Sequence, residues 1–434
     1  MDTVFTKNSL RTLGRRLRDT DCPKSEDIFL LQQYRVTYKE VIKRVFGIVC
    51  SEAVKINNEA ICSFRIKRID SIIRKLQRLK GQLELKSMRD IAGCRCILYS
   101  DSEVFKLMKA LKQTPLVLAQ EPNIYIGKKK KESGYQSIHM YVTVPEFPEQ
   151  YVEIQIRSIA HHDWATFVET LDLLYNTKIK EGISTNEEQY NDLYRLHQIL
   201  AIPEAQRNRE ENETIINTVI KYDIIGNLDS VLVKNIVHVR HQWADMISQI
   251  SNPSYFFIRT DTMNQPKISA FTSYSEAEDF YYQSFESDSN SNMVLVSMPN
   301  ASFDMISIAY SNYLLISHKF THQLHIIFAK YIEDYFPKNP SLAIKFSHYY
   351  RKNSSKIAGY IDLEIQDMKQ SIHKYDKSII NEWLTDVQDR LQDFQNDTQL
   401  ITRKSLKRAA IGNATGIKKI YKSITYYLHR ILKG

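Results

Sequence analysis

The stretch from Lys128 to Arg157, KKKKESGYQSIHMYVTVPEFPEQYVEIQIR, constrains the fold of this chain more than any other. Two alternating runs lie in it. From Ser137 to Val144, Ile138, Met140, Val142 and Val144 point one way, and Ser137, His139, Tyr141 and Thr143 the other. In the second run Val152, Ile154 and Ile156 share one face, and Glu153, Gln155 and Arg157 share the opposite one. A period of two belongs to a strand with one face on a core. The polar faces carry an acid, an amide, a base and an imidazole. On most strand pairs such a face is simply solvated. Here four lysines and a Ser-Gly-Tyr turn lead into the first run. They set a phosphate-attracting loop and an aromatic ring at its entrance.

At 434 residues the chain is long enough for two or three domains. It has no apolar run of about 18 residues, so no transmembrane helix is expected. The opening MDTVFTKNSLRTLGRRLRD lacks the apolar segment of a secretory signal. Cys22, Cys50, Cys62, Cys94 and Cys96 form no paired metal or redox pattern, and Cys94-x-Cys96 sits in an apolar run that reads as core. A reducing cytoplasm is the expected compartment. The net charge of +9 is local: nine lysines or arginines and no acid follow Thr398, and the rest of the chain balances. General nucleic-acid binding therefore does not follow from composition.

Five segments are expected: a helical region over 1–59, an α+β domain over 60–180, a polar helical connector over 181–250, a small α/β domain over 251–335, and a helical region with a basic tail over 336–434. Apolar Ile69, Ile72, Ile73, Leu76 and Leu79 mark one face of a helix whose other face holds Arg68, Arg74, Lys75, Arg78 and Lys80. Ile91–Tyr99 reads as a buried strand with Asp90 at its start. Arg95 lies inside it, where a charge is costly unless it has a partner or a ligand. Tyr255–Arg259 and Met293–Ser297 read as strands, and Tyr274–Phe285 and Phe320–Tyr335 as helices. His318, His322 and His325 share helical spacing. Without a nearby cysteine or a His-Glu-x-x-His pattern, they read as a polar helix face rather than a zinc site.

Asp90 and Glu153 stand 63 residues apart, so only the fold can bring them together. Together they would make a hard-oxygen site suited to Mg²⁺. With Arg65, Lys67 and the Lys128–Lys131 loop for phosphates and Tyr135 for a base, the ensemble points to nucleotide phosphoryl or pyrophosphoryl transfer. That chemistry needs positioning and charge neutralisation more than a strong nucleophile.

Residues 60–176 resemble the synthetase domain of the RelA/SpoT family of (p)ppGpp-forming alarmone synthetases. The likeness is carried by Phe64-Arg65-Ile66-Lys67 with Ser71-Ile72-Ile73-Arg74-Lys75-Leu76, by Asp90-Ile91-Ala92-Gly93-Cys94-Arg95, by Gly134-Tyr135-Gln136-Ser137-Ile138-His139, by Glu153-Ile154-Gln155-Ile156-Arg157, and by Trp164-Ala165 with Glu169. The resemblance implies a mixed sheet flanked by helices, of nucleotidyltransferase-like fold. It implies that Asp90 and Glu153 hold Mg²⁺, and that Glu153 draws the proton from the attacking 3′-hydroxyl. Arg65, Lys67, Lys75, Arg95 and Lys131 would bind phosphates. Tyr135 would stack on the acceptor base, and His139, Gln155, Arg157 and Glu169 would support the acceptor side.

The reaction implied moves the β,γ-pyrophosphate of ATP to the 3′-oxygen of GDP or GTP and releases AMP. Arg68-Ile69, Ser133 and Glu169-Thr170 depart from the family's Ser-Pro, Asn and Glu-His, and the last leaves the acceptor open. Toxic relatives pyrophosphorylate the 3′ end of tRNA, and Arg15-Arg16-x-Arg18 and the basic tail suit RNA, a ribosome or an anionic membrane surface alike. A non-catalytic nucleotide sensor is a third reading, which the intact acids disfavour. About 60 residues before the domain are too few for the family's hydrolase domain, so synthesis without degradation is expected. A homo-oligomer is also compatible with the family.

Overall fold

A computed structural model describes residues 5–127, 131–175, 177, 186–260, 266–287, 292–298, 301–310, 319–411 and 426. Lys128–Lys130 of the lysine loop, His318 and the basic tail from residue 412 on, apart from 426, lie outside the described residues. The chain divides into two compact units: residues 1–131, 135–165 and 250–302 form the first, and 132–134, 166–249 and 303–434 the second.

The first unit is α+β. Its helices are α1 (Lys7–Arg18), α2 (Ser25–Val36), α3 (Lys39–Ile56), α4 (Ile69–Arg78), α5 (Asp101–Leu111) and α10 (Tyr274–Ser287), with the start of α6 (Ile159–Tyr175). Its strands are β1 (Ile61–Ile66), β2 (Ala92–Leu98), β3 (Val117–Leu118), β4 (Asn123–Tyr125), β5 (Ser137–Thr143), β6 (Val152–Ser158), β7 (Tyr255–Thr260), β8 (Pro266–Phe271) and β9 (Asn292–Ser297). They form one mixed sheet in the order β3-β5-β6-β2-β1-β9-β7-β8, with β4 also on β5. β2 and β6 run parallel, while β1–β2, β5–β6 and β1–β9 are antiparallel.

Local signals explain several boundaries. Thr6 and Ser9 form a reciprocal capping box at the start of α1, and the Ser100 side chain accepts from the Glu103 N–H at the start of α5. The apolar sides of β5 and β6, Ile138, Met140, Val142, Ile154 and Ile156, are fully buried. They share one core with Val41, Val45 and Val49 of α3 and Val104 and Leu107 of α5. Cys62, Cys94 and Cys96 belong to the same core, with the Cys62 and Cys96 thiols 3.6 Å apart across neighbouring strands.

Two expectations about organisation differ from what is found. Residues 251–335 were expected as a separate α/β domain, yet β7, β8 and β9 extend the first sheet. β9 pairs with β1 through Cys62–Ser297, Ser63–Val296 and Phe64–Leu295. The side of β1 away from β2 would otherwise be an open edge, and the buried run Met293–Val296 covers it. Periodicity reveals such strands but not a partner more than two hundred residues away. Within the helical region expected over 1–59, a single helical pattern from Glu26 to about Asn57 is likewise two helices, because the chain turns at Thr37 and Tyr38.

The second unit is helical. It holds the rest of α6, then α7 (Glu187–Leu200), α8 (Arg209–Lys221), α9 (Ile224–Gln249), α11 (Phe303–Ala309), α12 (Lys319–Tyr335), α13 (Pro340–Ser371), α14 (Lys377–Gln399) and α15 (Lys404–Ile411). The segment read as a connector, 181–250, thus supplies helices to the same unit as 303–434. One core joins Leu196, Ile216 and Leu228 to Phe328, Phe346 and Leu406; another gathers Ala244, Ile365, Trp383 and Leu384. His322 bonds Asp397 at 2.9 Å, and His325 is fully buried. Among the described residues no cluster of three or more His, Cys, Asp or Glu is arranged to hold a metal. No described helix is long and apolar enough to cross a membrane.

Candidate active site

The strand register lines up the polar face. Arg65 on β1 stands opposite Gly93 on β2; Gly93 stands opposite Glu153 on β6, and Glu153 opposite Tyr141 on β5. The next row reads Ser63, Arg95, Gln155, His139 and Asn123. Period-two alternation on four strands therefore puts the predicted residues on one side of the sheet, opposite the apolar side that packs on α3 and α5. Gly93 lies between Arg65 and Glu153. A Cβ there would sit 3.5 Å from the Glu153 carbonyl oxygen, an ordinary contact, so the backbone does not demand glycine. What glycine leaves is open space between a cation and an acid.

At one end of the face stands Asp90. Its Oδ2 takes Lys75 Nζ at 2.6 Å and Lys67 Nζ at 3.0 Å. Burial works against ionising Asp90, but the two ammonium groups outweigh it and hold the carboxyl below the usual range; the charge of Glu153 pushes the other way. Burial pulls Lys67 down from its ordinary value. The other oxygen, Asp90 Oδ1, is buried with no hydrogen-bond partner among the described residues. A buried anionic oxygen without a donor is costly, and a divalent cation would satisfy it. Asp90 and Glu153 together offer the hard-oxygen donors that Mg²⁺ takes, so these residues fit it.

At the other end five side chains close a ring of hydrogen bonds. His139 Nδ1 lies 2.9 Å from Glu153 Oε1, and His139 Nε2 lies 2.7 Å from the Tyr135 hydroxyl. Arg157 Nη2 donates to that hydroxyl at 2.5 Å and to Gln155 Oε1 at 2.9 Å. Gln155 Nε2 donates to Glu153 Oε2 at 2.8 Å and closes the ring. The Tyr141 hydroxyl adds a third donor to Glu153 at 3.1 Å. Burial opposes charge on Glu153, but the bonds from His139, Gln155 and Tyr141 outweigh it and hold the carboxyl far below its ordinary value. The same contacts act on His139. Burial alone would lower its pKa, and Glu153 and Tyr135 raise it above the ordinary value instead. With neutral His139 bearing its proton on Nδ1, every bond has one donor and one acceptor: Arg157 to Tyr135, Tyr135 to His139, His139 to Glu153.

Tyr135 follows Gly134, whose φ of 89° only glycine adopts without strain. The Tyr135 ring is 8% exposed. Arg157 lies 4.9 Å and Lys131 5.2 Å from its centroid, with Tyr125 and His139 edge-on. The ring that the resemblance assigns to base stacking is therefore covered by cations in this conformation. Lys131 also donates its backbone N–H to the Tyr135 carbonyl at 3.1 Å. Arg65 is exposed beside Gly93, and Arg95 is half-buried between Ser63 and Gln155. Glu169 is half-buried further along α6, in the part assigned to the second unit.

Sequence reasoning missed three contributors. Tyr141 was visible as the next residue on the His139 face. Tyr125 lies on β4, only three residues long and without a period of its own. Arg35, on α2, donates to the Lys67 carbonyl oxygen at 2.8 Å, and no local pattern announces that.

Residues 64–180 match a family model described as "Region found in RelA / SpoT proteins". The chain carries a RelA/SpoT region. It is 36% identical over 127 residues to the GTP pyrophosphokinase YjbM of Bacillus subtilis, covering 27% of this chain and 59% of that protein. It is 30% identical over 129 residues to the GTP pyrophosphokinase YwaC of the same organism, covering 28% and 61%. The chain thus spans about three-fifths of the length of these curated relatives. The small alarmone synthetase 1 from Bacillus subtilis, solved bound to its product pppGpp, aligns at 24% identity and a TM-score of 0.29, over 38% of this chain and 93% of that one. The RelA/SpoT region contains both Asp90 and Glu153, and it ends before β7–β9 and α10 begin.

Proposed function

We propose that the RelA/SpoT region transfers the β,γ-pyrophosphate of ATP to the 3′-hydroxyl of GDP or GTP and releases AMP. The observation that carries this reading is the pairing on one sheet face of two carboxylates with separate sets of partners. Asp90 is held by Lys67 and Lys75; Glu153 is held by His139, Gln155 and Tyr141. The named activity of the relatives YjbM and YwaC supports the same assignment.

Each end has its own task. Lys67, Lys75, Arg65 and Arg95 supply positive charge where the triphosphate of ATP would lie, and they spread the charge that builds on the leaving AMP. Mg²⁺ held by Asp90 and Glu153 would neutralise phosphate oxygens. The acceptor hydroxyl would be oriented against Glu153. Glu153 would accept the hydroxyl proton, and the His139 Nδ1–H that bonds it would orient that carboxylate for the task. Tyr135 and Arg157 hold the imidazole in place from its far side.

The test is to incubate the protein with Mg²⁺ and ATP labelled on the γ-phosphate, offering GDP, GTP, ATP and bulk tRNA separately. Label on GDP or GTP supports the proposal. Label on tRNA alone would move the acceptor to RNA, and no labelled acceptor would defeat the reading.

A further inference from the structure

β1 ends in Arg65-Ile66-Lys67, and its last hydrogen bonds are unlike those of the strand before it. On the β2 side Lys67 N–H donates to the Ile91 carbonyl at 2.7 Å. On the opposite side, the β9 pairing stops at Phe64–Leu295, which leaves the Ile66 N–H without a strand. That N–H is buried and donates instead to the Tyr281 hydroxyl of α10 at 3.0 Å. The Lys67 carbonyl oxygen accepts from Arg35 Nε of α2 at 2.8 Å. Arg35 is 1% exposed, yet among the described residues no carboxylate bonds it. Its guanidinium lies 4.3 Å from the centre of the Phe285 ring, four residues beyond Tyr281, and also donates to Gln32 Oε1. Gln32 Nε2 in turn donates to the Phe285 carbonyl at 3.0 Å. Burial lowers Arg35 only to about 10, so it stays charged at neutral pH.

A fully buried arginine spent on one backbone carbonyl, one amide oxygen and one ring face is an expensive device for holding a strand end. The strand end it holds carries Arg65 and Lys67, and Lys67 reaches Asp90. The helix that completes the device lies outside the RelA/SpoT region.

We infer that α10, through Tyr281 and Phe285, acts with Arg35 as a clamp that positions Arg65 and Lys67 for the triphosphate of ATP. The inference rests on the assignment of those two residues to the donor. Tyr281, Phe285 and Arg35 are positioning residues and touch no substrate. The clamp acts on the donor end of the sheet and leaves β5 and β6, where the acceptor would sit, untouched. A donor-specific defect is therefore its signature.

The experiment compares the full chain with Tyr281→Phe, which keeps the ring among Phe64, Phe257 and Phe285 and removes only the hydroxyl, and with Phe285→Leu, which keeps apolar volume and removes the ring face. Three quantities are read: the Kd for Mg·ATP by calorimetry without acceptor, the KM of each substrate, and amide exchange in the peptide spanning 64–68. One lost hydrogen bond corresponds to roughly a three- to tenfold change. Tyr281→Phe should weaken ATP by that factor, leave the acceptor KM within about twofold, and speed exchange at Ile66. Phe285→Leu should act in the same direction. An unchanged ATP Kd in both variants overturns the clamp, as does an equal rise in both KM values, which would mark a general loss of structure. If the parent transfers no pyrophosphate but binds ATP, the transfer proposal fails and the Kd comparison still decides the clamp. A parent that binds no ATP overturns both.

Discussion

Glu153 accepts three hydrogen bonds inside the sheet face, so its substitution tests chemistry and architecture at once. Glu153→Gln keeps the size and removes the charge. Pyrophosphate transfer should fall by about 10²- to 10⁴-fold, while the melting temperature changes by a few degrees; a variant within about threefold of the parent would remove Glu153 from the mechanism. The same change tests the electrostatics of His139, whose pKa lies above the ordinary 6.5 because Glu153 and Tyr135 outweigh burial. Neutral imidazole accepts the Tyr135 hydroxyl at Nε2 and imidazolium cannot, so the ring of hydrogen bonds forms, and the rate should rise, as pH passes upward through a midpoint above that value. Followed by NMR, the imidazole midpoint should move to lower pH in Glu153→Gln; a midpoint that stays put would show that Glu153 does not set it. Tyr135 is the residue whose role the sequence conveyed least completely. The Gly-Tyr pattern marks it as an aromatic contact, but its hydroxyl joins His139 to Arg157. Tyr135→Phe breaks both bonds, each worth roughly 0.5–1.5 kcal/mol. It should lower kcat by about tenfold while changing the acceptor KM less; an unchanged kcat would leave the ring as its only contribution.

At the scale of the element, the face of each strand was legible and the assembly of strands was not. Alternation in Ser137–Thr143 and Val152–Ser158 named His139, Glu153, Gln155 and Arg157 of the ring before any pairing was known, and only Tyr135, in the turn ahead of the first strand, came from another signal. The hydrogen-bond ladder adds the register, which sets Arg65, Gly93, Glu153 and Tyr141 in one row. No local period encodes that row, since its four members come from segments spread over almost ninety residues. The row also explains what Gly93 does. Its Cβ position is sterically permitted, so the backbone accepts a side chain there, and Gly93→Ala as the control should keep a melting temperature near that of the parent while Gly93→Leu adds bulk. Its side chain would fill the space between Arg65 and Glu153. The ATP Kd should then rise by about two orders of magnitude in Gly93→Leu, because the apolar side chain both blocks the triphosphate and desolvates its cationic partners. Calorimetry with Mg·ATP checks this, and parent-like affinity would show that the triphosphate lies elsewhere.

For the whole molecule, the informative fact is that the first unit is built from separated stretches of chain. Local chemistry marked residues 60–180 as a self-contained domain, because all the site residues fall there. Packing does not respect that boundary: β9 closes the edge of β1, Tyr281 packs edge-on against Phe64, and Tyr274 stacks on Phe46. These contacts join residues more than two hundred positions apart, and nothing in the composition of either partner specifies the other. A chain cut after residue 180 would uncover Phe46, Phe64 and the backbone of β1. Fully burying a large apolar side chain is worth roughly 1.5–3 kcal/mol, and a whole domain is stable by only about 5–15 kcal/mol. Two exposed phenylalanines with several unpaired strand amides would therefore consume much of the total. The truncated chain should be aggregation-prone through the bare edge, and whatever remains soluble should bind Mg·ATP weakly. A version that joins residue 165 to residue 250 by a short flexible linker restores β7–β9 and α10 without the helical unit, and should recover both solubility and ATP affinity. Light scattering and calorimetry on the two versions decide the matter: equal behaviour would mean that β7–β9 and α10 are dispensable to the sheet that holds the site.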